Sequence, residues 1–279
     1  TSAEFAVDGS YMALRFDSNT NRGNKGTSYF ICSLLFEFSC AEASECFWYN
    51  DATVYAYVSS SIAADVTCVL PGNSVSVSDQ NGISAMCSAT ESASCASQSS
   101  WPTSDPVDVL VAASELSVSP AVSISAPTSI GECDSLSLDM SSSRGNGGRD
   151  WYTTVVTVES SNLNASRLSS LRNFLSSSEY AVDSTPPTAI PGDLLIKRSS
   201  YIFTVRICNF LQKCGQKSHS VFVYDVLLPT ITISGQQVRT VYRKNALSMA
   251  STAYLSQCDG TASNLGISYT WSISNEGVV

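Results

Sequence analysis

The chain has 279 residues, 43% of them hydrophobic and only 14% charged, with a net charge of −9 and a pI near 4.5. Such an acidic balance leaves no basic stripe to neutralise phosphates, so it excludes nucleic acid as a partner and disfavours anionic membrane surfaces. No apolar run approaches the ~18 residues that a membrane span needs.

In chain order, alternating apolar residues and turn-forming clusters predict strands over 11–16, 29–38, 46–49, 53–58, 66–70 and 75–78. Met12, Leu14 and Phe16 share one face of the first, and Pro71-Gly72 is a turn. Residues 79–106 read as a long loop closed by its own bridge, Cys87–Cys95, before strand character resumes over 107–112. A second series follows at 135–140, 150–158, 194–197, 200–208 and 220–226. Between its strands, 165–177 predicts one short helix, with Asn164 as N-cap and Leu168, Leu171, Phe174 and Leu175 at helical spacing. A third series covers 230–233, 238–242, 246–255 and 267–273. It repeats the second weakly, each reaching an aromatic strand at Trp151 or Trp271, where an indole fills the space between two sheets.

The expected class is therefore all-β, with tandem Ig-like sandwiches at 1–117 and 118–226 and a partial one at 227–279. The last strand, 267–273, puts Ile267, Tyr269, Trp271 and Ile273 on one face, and six residues follow it. Its face needs a partner sheet. Either strands beyond Val279 complete that sandwich or another chain does.

Motifs of catalysis are missing from the pattern. Arg144-Gly-Asn-Gly-Gly-Arg149 lacks the Lys-Ser/Thr and helix of a phosphate loop; it predicts a tight inter-strand turn, with Arg149 pairing a carboxylate at the core edge. His219 is the one histidine and has no nucleophile-elbow serine, so it reads as a strand-edge residue. There is no calcium loop of the DxDxDG type. The expectation is no catalytic residue, no cofactor and no metal. Phe47, Trp48, Tyr49, Tyr55 and Tyr57 read as core packing beside Cys46, with stacking on sugars as the alternative. Asn164-Ala-Ser166 is the one N-glycosylation sequon.

Residues 118–279 resemble the receptor-for-egg-jelly modules of the polycystin family. The resemblance is carried by Ser123-Ile-Ser-Ala-Pro, by Ile130-Gly-Glu-Cys-Asp-Ser-Leu-Ser-Leu-Asp, and by Ser141-Ser-Ser-Arg-Gly-Asn-Gly-Gly-Arg-Asp-Trp151. Leu194 to Phe210 and Leu228-Pro-Thr-Ile-Thr-Ile-Ser-Gly are similar to the later strands and to the entry of the next repeat. The segment from Cys32-Ser-Leu-Leu-Phe to Cys46-Phe-Trp-Tyr-Asn is similar to a domain found ahead of such modules. The resemblance implies Ig-like modules of extracellular surface proteins and no catalytic residues.

Ten cysteines without a CxxC, beside a single histidine, point to disulfides rather than zinc and so to an oxidising, extracellular or cell-surface location. Short spacing suggests Cys87–Cys95 and Cys208–Cys214. The resemblance implies Cys32–Cys46, which leaves Cys40–Cys68 in the first domain, with Cys133 and Cys258 left over.

The expected function is an extracellular structural protein, the protomer of a filament that partners itself by strand donation. Phe5 and Val7, on an N-terminal segment that nothing ahead of it pins, would be the donor residues. Leu247, Tyr269 and Trp271 would line the acceptor groove. The alternative is a fragment of an adhesion or recognition receptor, with glycans as further partners; a secreted carbohydrate-active enzyme comes third.

Overall fold

Among the described residues fifteen strands, one α-helix and several 3-10 turns make the chain all-β. The computed structural model describes residues 1–58, 68–78, 82–86, 103–233, 241–242, 244–259 and 261–272. Cys87–Cys95, Ile273, most of 79–106 and parts of 66–70 and 238–242 lie outside the described residues. The strands are β1 (Ser2–Phe5), β2 (Met12–Arg15), β3 (Phe30–Ile31), β4 (Phe36–Glu37), β5 (Ser44–Asn50), β6 (Thr53–Val58), β7 (Ser74–Val77) and β8 (Val109–Ala112). There follow β9 (Ser129–Ile130), β10 (Thr153–Ser160), α1 (Ser169–Leu175), β11 (Ser199–Cys208), β12 (Cys214–Val223), β13 (Pro229–Ile233), β14 (Ser251–Ser256) and β15 (Ala262–Ser263).

The chain divides into two compact units. One is Thr1–Ser123 with Ser142–Val155 and Arg206–Lys217; the other is Ile124–Ser141 with Val156–Val205 and Ser218–Val279. Strands β1 to β8 form one sheet in the order β3-β5-β6-β2-β1-β8-β7-β4. The period-two alternation of β5 and β6 decides its two faces. Cys46, Trp48, Val54 and Ala56 point into a core shared with Phe5, Met12 and Leu14, while Phe47, Tyr49, Tyr55 and Tyr57 take the other face. Strand β1 lies inside this sheet, antiparallel to β2 (Phe5↔Met12) and parallel to β8 (Ala3↔Val111).

The N-terminal segment is therefore not free, which corrects the expected donor. Phe5 is 2% exposed and meets Phe210 edge-on at 5.1 Å between ring centroids. Val7 sits in the turn after β1, where its carbonyl accepts the Val118 amide at 2.9 Å. Drawing this segment out to serve a neighbour would remove a paired inner strand and a core aromatic from its own unit. The expected strand 29–38 is also broken, into β3 and β4 around a 3-10 turn at Cys32–Leu34. Cys32 is tied there to Cys46, with 5.0 Å between Cα atoms.

In the second unit, Leu136, Leu138 and Met140 are buried as their alternation predicts, but they make only isolated bridges, Leu136↔Ile190 and Ser125↔Asp139. Helix α1 is shorter than 165–177. Asn164 caps one turn ahead of it, its Oδ1 accepting the Arg167 amide at 3.1 Å. Leu168, Leu171 and Leu175 form its buried stripe, and Arg172 donates to the Val158 carbonyl of β10 at 3.2 Å. A four-stranded sheet has the order β10-β11-β12-β9, and a three-stranded one β13-β14-β15.

Residues 267–272 are not a strand, which corrects the expected 267–273. The alternation of Ile267, Tyr269 and Trp271 has no ladder among the described residues. The Tyr269 hydroxyl instead accepts the Ala253 amide of β14 at 2.9 Å. Trp271 is 50% exposed and Trp151 is half-buried, so neither fills a core; among the described residues the fully buried indole is Trp48. Cys40–Cys68 and Cys208–Cys214 are bonded, and Cys133 pairs with Cys258 across 125 residues of sequence.

Candidate functional site

The site grows from one ring, Phe210, at the end of the β11–β12 hairpin. Asn209 fixes that hairpin end: its Nδ2 donates to the Val118 and Gly145 carbonyls at 3.0 and 2.9 Å, and its Oδ1 accepts the Lys213 amide at 3.1 Å. Two backbone turns then press against Phe210. A Cβ at Gly9, with φ +77°, would lie 2.7 Å from the ring. A Cβ at Gly147, with φ +70°, would lie 2.6 Å from the ring and 3.0 Å from the Asp8 carbonyl oxygen. Glycine is required at both places by conformation and by space.

Arg149 closes the cluster and corrects the expectation of a carboxylate partner. It is only 4% exposed, and among the described residues no carboxylate lies within ion-pair distance. Its Nη1 donates to the Cys68 and Val69 carbonyls at 3.0 and 2.9 Å, while the guanidinium lies 3.9 Å from the Phe210 ring centroid. A flat, weakly hydrated cation suits carbonyl pairs and aromatic faces. Burial nevertheless pushes its pKa down to about 10.

Between the β1–β2 turn and the glycine loop there is a cavity of about 450 Å³. Asp8, Ser10, Tyr11, Gly145, Gly147, Gly148 and Arg149 line it, over an apolar floor that includes Met12 and Ala56. Asp8 Oδ1 accepts from the Ser10 hydroxyl at 2.7 Å and from the Ser10 amide at 3.0 Å. Those bonds hold the Asp8 carboxyl below the ordinary carboxylate value.

Tyr11 joins this cavity to a row of rings on the outward face of β5 and β6. Its ring lies 4.2 Å from Tyr55 and 5.7 Å from Tyr57; Tyr55 stacks on Tyr49 at 4.8 Å. In the other direction Tyr57 is 6.2 Å from Tyr29, which is 5.1 Å from Phe47. In this row Tyr11, Tyr55, Tyr57 and Phe47 are half-buried, and Tyr29 and Tyr49 are 60% and 61% exposed. Desolvation raises the pKa of Tyr57 and, with the hydrogen bond that its hydroxyl donates to Tyr11 as the next cause, that of Tyr55. The core-packing expectation thus holds for Trp48 alone. Strand alternation separates Trp48 from its aromatic neighbours, and that signal was present in the spacing.

The remaining sequence candidates fall elsewhere. His219 lies on β12 with Nε2 3.1 Å from the Pro127 carbonyl. Glu132, Cys133 and Cys258 bring ligand atoms within 4.8 Å of one another, but the two sulfurs are spent on their own bond. Asn164 and Ser166 of the sequon are exposed, with Ser166 Oγ donating to Asn164 Oδ1 at 3.3 Å. Of the expected acceptor residues, Tyr269 and Trp271 line a groove of about 270 Å³ with Ile231, Ile233 and Ala253, whereas Leu247 is exposed outside that lining.

No protein-family model matches the chain, and no curated protein matches it. Among the described residues no helix is long and apolar enough to cross a membrane.

Proposed function

We propose that this chain is a recognition segment of an extracellular surface protein, binding through the aromatic row on β5 and β6 and doing no catalysis. The observation that carries this reading is the continuous series Tyr49, Tyr55, Tyr11, Tyr57, Tyr29 and Phe47, presented on a disulfide-stapled sheet. Rigid tyrosines offer large contact area with few rotors to freeze and a hydroxyl at each tip, which is the chemistry of adhesive protein surfaces. Paired cysteines suit an oxidising compartment, and the likeness of residues 118–279 to egg-jelly-receptor modules points to the same setting.

The test is binding of the labelled, disulfide-bonded chain to extracellular-matrix material from the source cells. Wild type should bind saturably, and the double variant Tyr49→Ala, Tyr55→Ala should lose at least about tenfold in affinity with its thermal unfolding unchanged. Equal binding by the variant would overturn the reading.

A second reading, self-assembly, is favoured by the three-stranded sheet, where Ile231, Ile233 and Trp271 stand exposed beside one groove. Here a second copy would cover that face. Concentration-dependent particles or filaments in negative stain, abolished by Ile231→Lys with Ile233→Lys, would support it; a monomer at all concentrations would remove it.

A further inference from the structure

The cavity beside Tyr11 has a chemistry of its own, and three features limit what fits it. The first is size: about 450 Å³ falls within the roughly 300–1,000 Å³ typical of small-molecule sites. The second is charge. One carboxylate, Asp8, and one guanidinium, Arg149, line the space, so their formal charges cancel. A phosphate or sulfate entering there would face Asp8 on a chain already at −9. A divalent cation would find a single carboxylate and a buried positive charge. A neutral ligand meets neither obstacle.

The third feature is the alternation of hydrogen-bonding types against an aromatic wall. Asp8 can only accept, Arg149 can only donate, and the Ser10 hydroxyl, whose proton goes to Asp8, keeps its lone pairs for a ligand's donor. Gly147 and Gly148, both at positive φ, bring main chain to the lining with no side chain in front of it. Tyr11 adds an aromatic ring at the rim, held by its contact with Tyr55. Vicinal hydroxyls, each both donor and acceptor, above an apolar C–H face are the complement of such a lining.

We propose that this cavity is a subsite for one neutral pyranose unit of a glycan, with Asp8 and Ser10 taking its hydroxyls and Tyr11 its C–H face. The proposal rests on the recognition reading above and names the class of ligand. The row from Tyr11 toward Tyr29 gives further sugar units a track along the sheet.

Affinity electrophoresis of the intact, oxidised chain tests it. The gels contain, separately, a soluble β-glucan, a mannan, a galactan, a polygalacturonate and a sulfated galactan. At least one neutral polymer should retard wild type, and free methyl pyranosides of the same sugar should reverse the retardation. Asp8→Asn should weaken that binding about tenfold, the scale of a hydrogen bond to a charged group. Tyr11→Ala should weaken it more, with melting temperatures recorded for both variants. Since the Asp8 side chain is exposed, Asp8→Asn keeps the test open if Tyr11→Ala fails to fold.

Three results overturn the proposal: no retardation by any neutral polymer, retardation by the acidic polymers only, or undiminished retardation of Asp8→Asn. The broader reading fails on a different measurement, matrix binding that survives Tyr49→Ala with Tyr55→Ala. A chain that binds matrix through those tyrosines yet ignores every neutral polymer refutes the sugar subsite and spares the recognition face.

Discussion

Two sheets of this molecule carry aromatic side chains toward solvent, and they do it differently. On β5 and β6 the rings pack on one another, so Tyr11, Tyr55, Tyr57 and Phe47 are half-buried while Tyr29 and Tyr49 stand in solvent. On β13 and β14 the exposed groups are mostly aliphatic, and Ile231, Ile233 and Trp271 stand beside a groove where, among the described residues, no other ring packs on the indole. The first face is a finished surface with polar tips. The second is an uncovered apolar one. The difference teaches that exposure alone does not mark a binding face; what matters is whether the exposed groups are held in one geometry before a partner arrives.

The sharpest way to break this comparison is to remove β1, because the first face stands on a sheet that β1 helps to hold. Deleting Thr1 to Val7 should abolish cooperative unfolding of the first unit, and Phe5→Ala alone should cost about 3–5 kcal/mol in urea denaturation. Normal folding of the deletion variant, with assembly lost, would restore the donor role for this segment.

The next largest effect concerns the glycine loop. Gly147→Ala places a methyl 2.6 Å from the Phe210 ring at a positive φ, so it should destabilise by about 2–3 kcal/mol. Gly148→Ala also has a positive φ but meets open space, and it should cost only about 1 kcal/mol. Similar losses for both would mean that Phe210 does not anchor the loop.

Alkaline titration sharpens the contrast between packed and wet tyrosines. Burial raises the pKa of Tyr55 and Tyr57 above the ordinary 10.0, as it does of Tyr180 and Tyr201, so Tyr55→Phe with Tyr57→Phe should remove part of the late rise in phenolate absorbance. An unfolded chain gives up those protons earlier. Their contribution to stability is therefore complete below pH 10 and lost as pH climbs through the raised values. Arg149 acts with the opposite sign: its pKa falls to about 10, so the unfolded chain holds that proton longer and stability from this residue rises above that pH. An unchanged late rise in that double variant would mean that the row is not packed.

The smallest effect belongs to the second face. Ile231→Ser and Ile233→Ser remove groups already in solvent, and each should change the stability of the isolated chain by less than about 0.5 kcal/mol. A larger loss would show that this face is covered.

Much of the outcome was written in local pattern. Alternation alone marked β2, β6 and β11, and the spacing of Leu168, Leu171 and Leu175 marked α1, because period two and period 3.6 are properties of the backbone and need no distant partner. Cys208–Cys214 followed from a separation of six residues. Alternation also separated Trp48 from Tyr49, although which face was the inner one depended on the sheet that covered it.

Tertiary structure decided the rest. No local rule says that residues 267–272 forgo a ladder, that Cys133 finds Cys258, or that Phe5 lies against Phe210 rather than in a neighbour. The candidate site is of this second kind. Asp8, Gly147, Arg149 and Tyr11 are up to 141 residues apart in the chain, and they meet because two glycine turns and one guanidinium share a single aromatic ring. The glycines and the arginine were visible in the sequence as a motif. Their reason was not, since a close approach is a fact about two segments and a sequence pattern records only one.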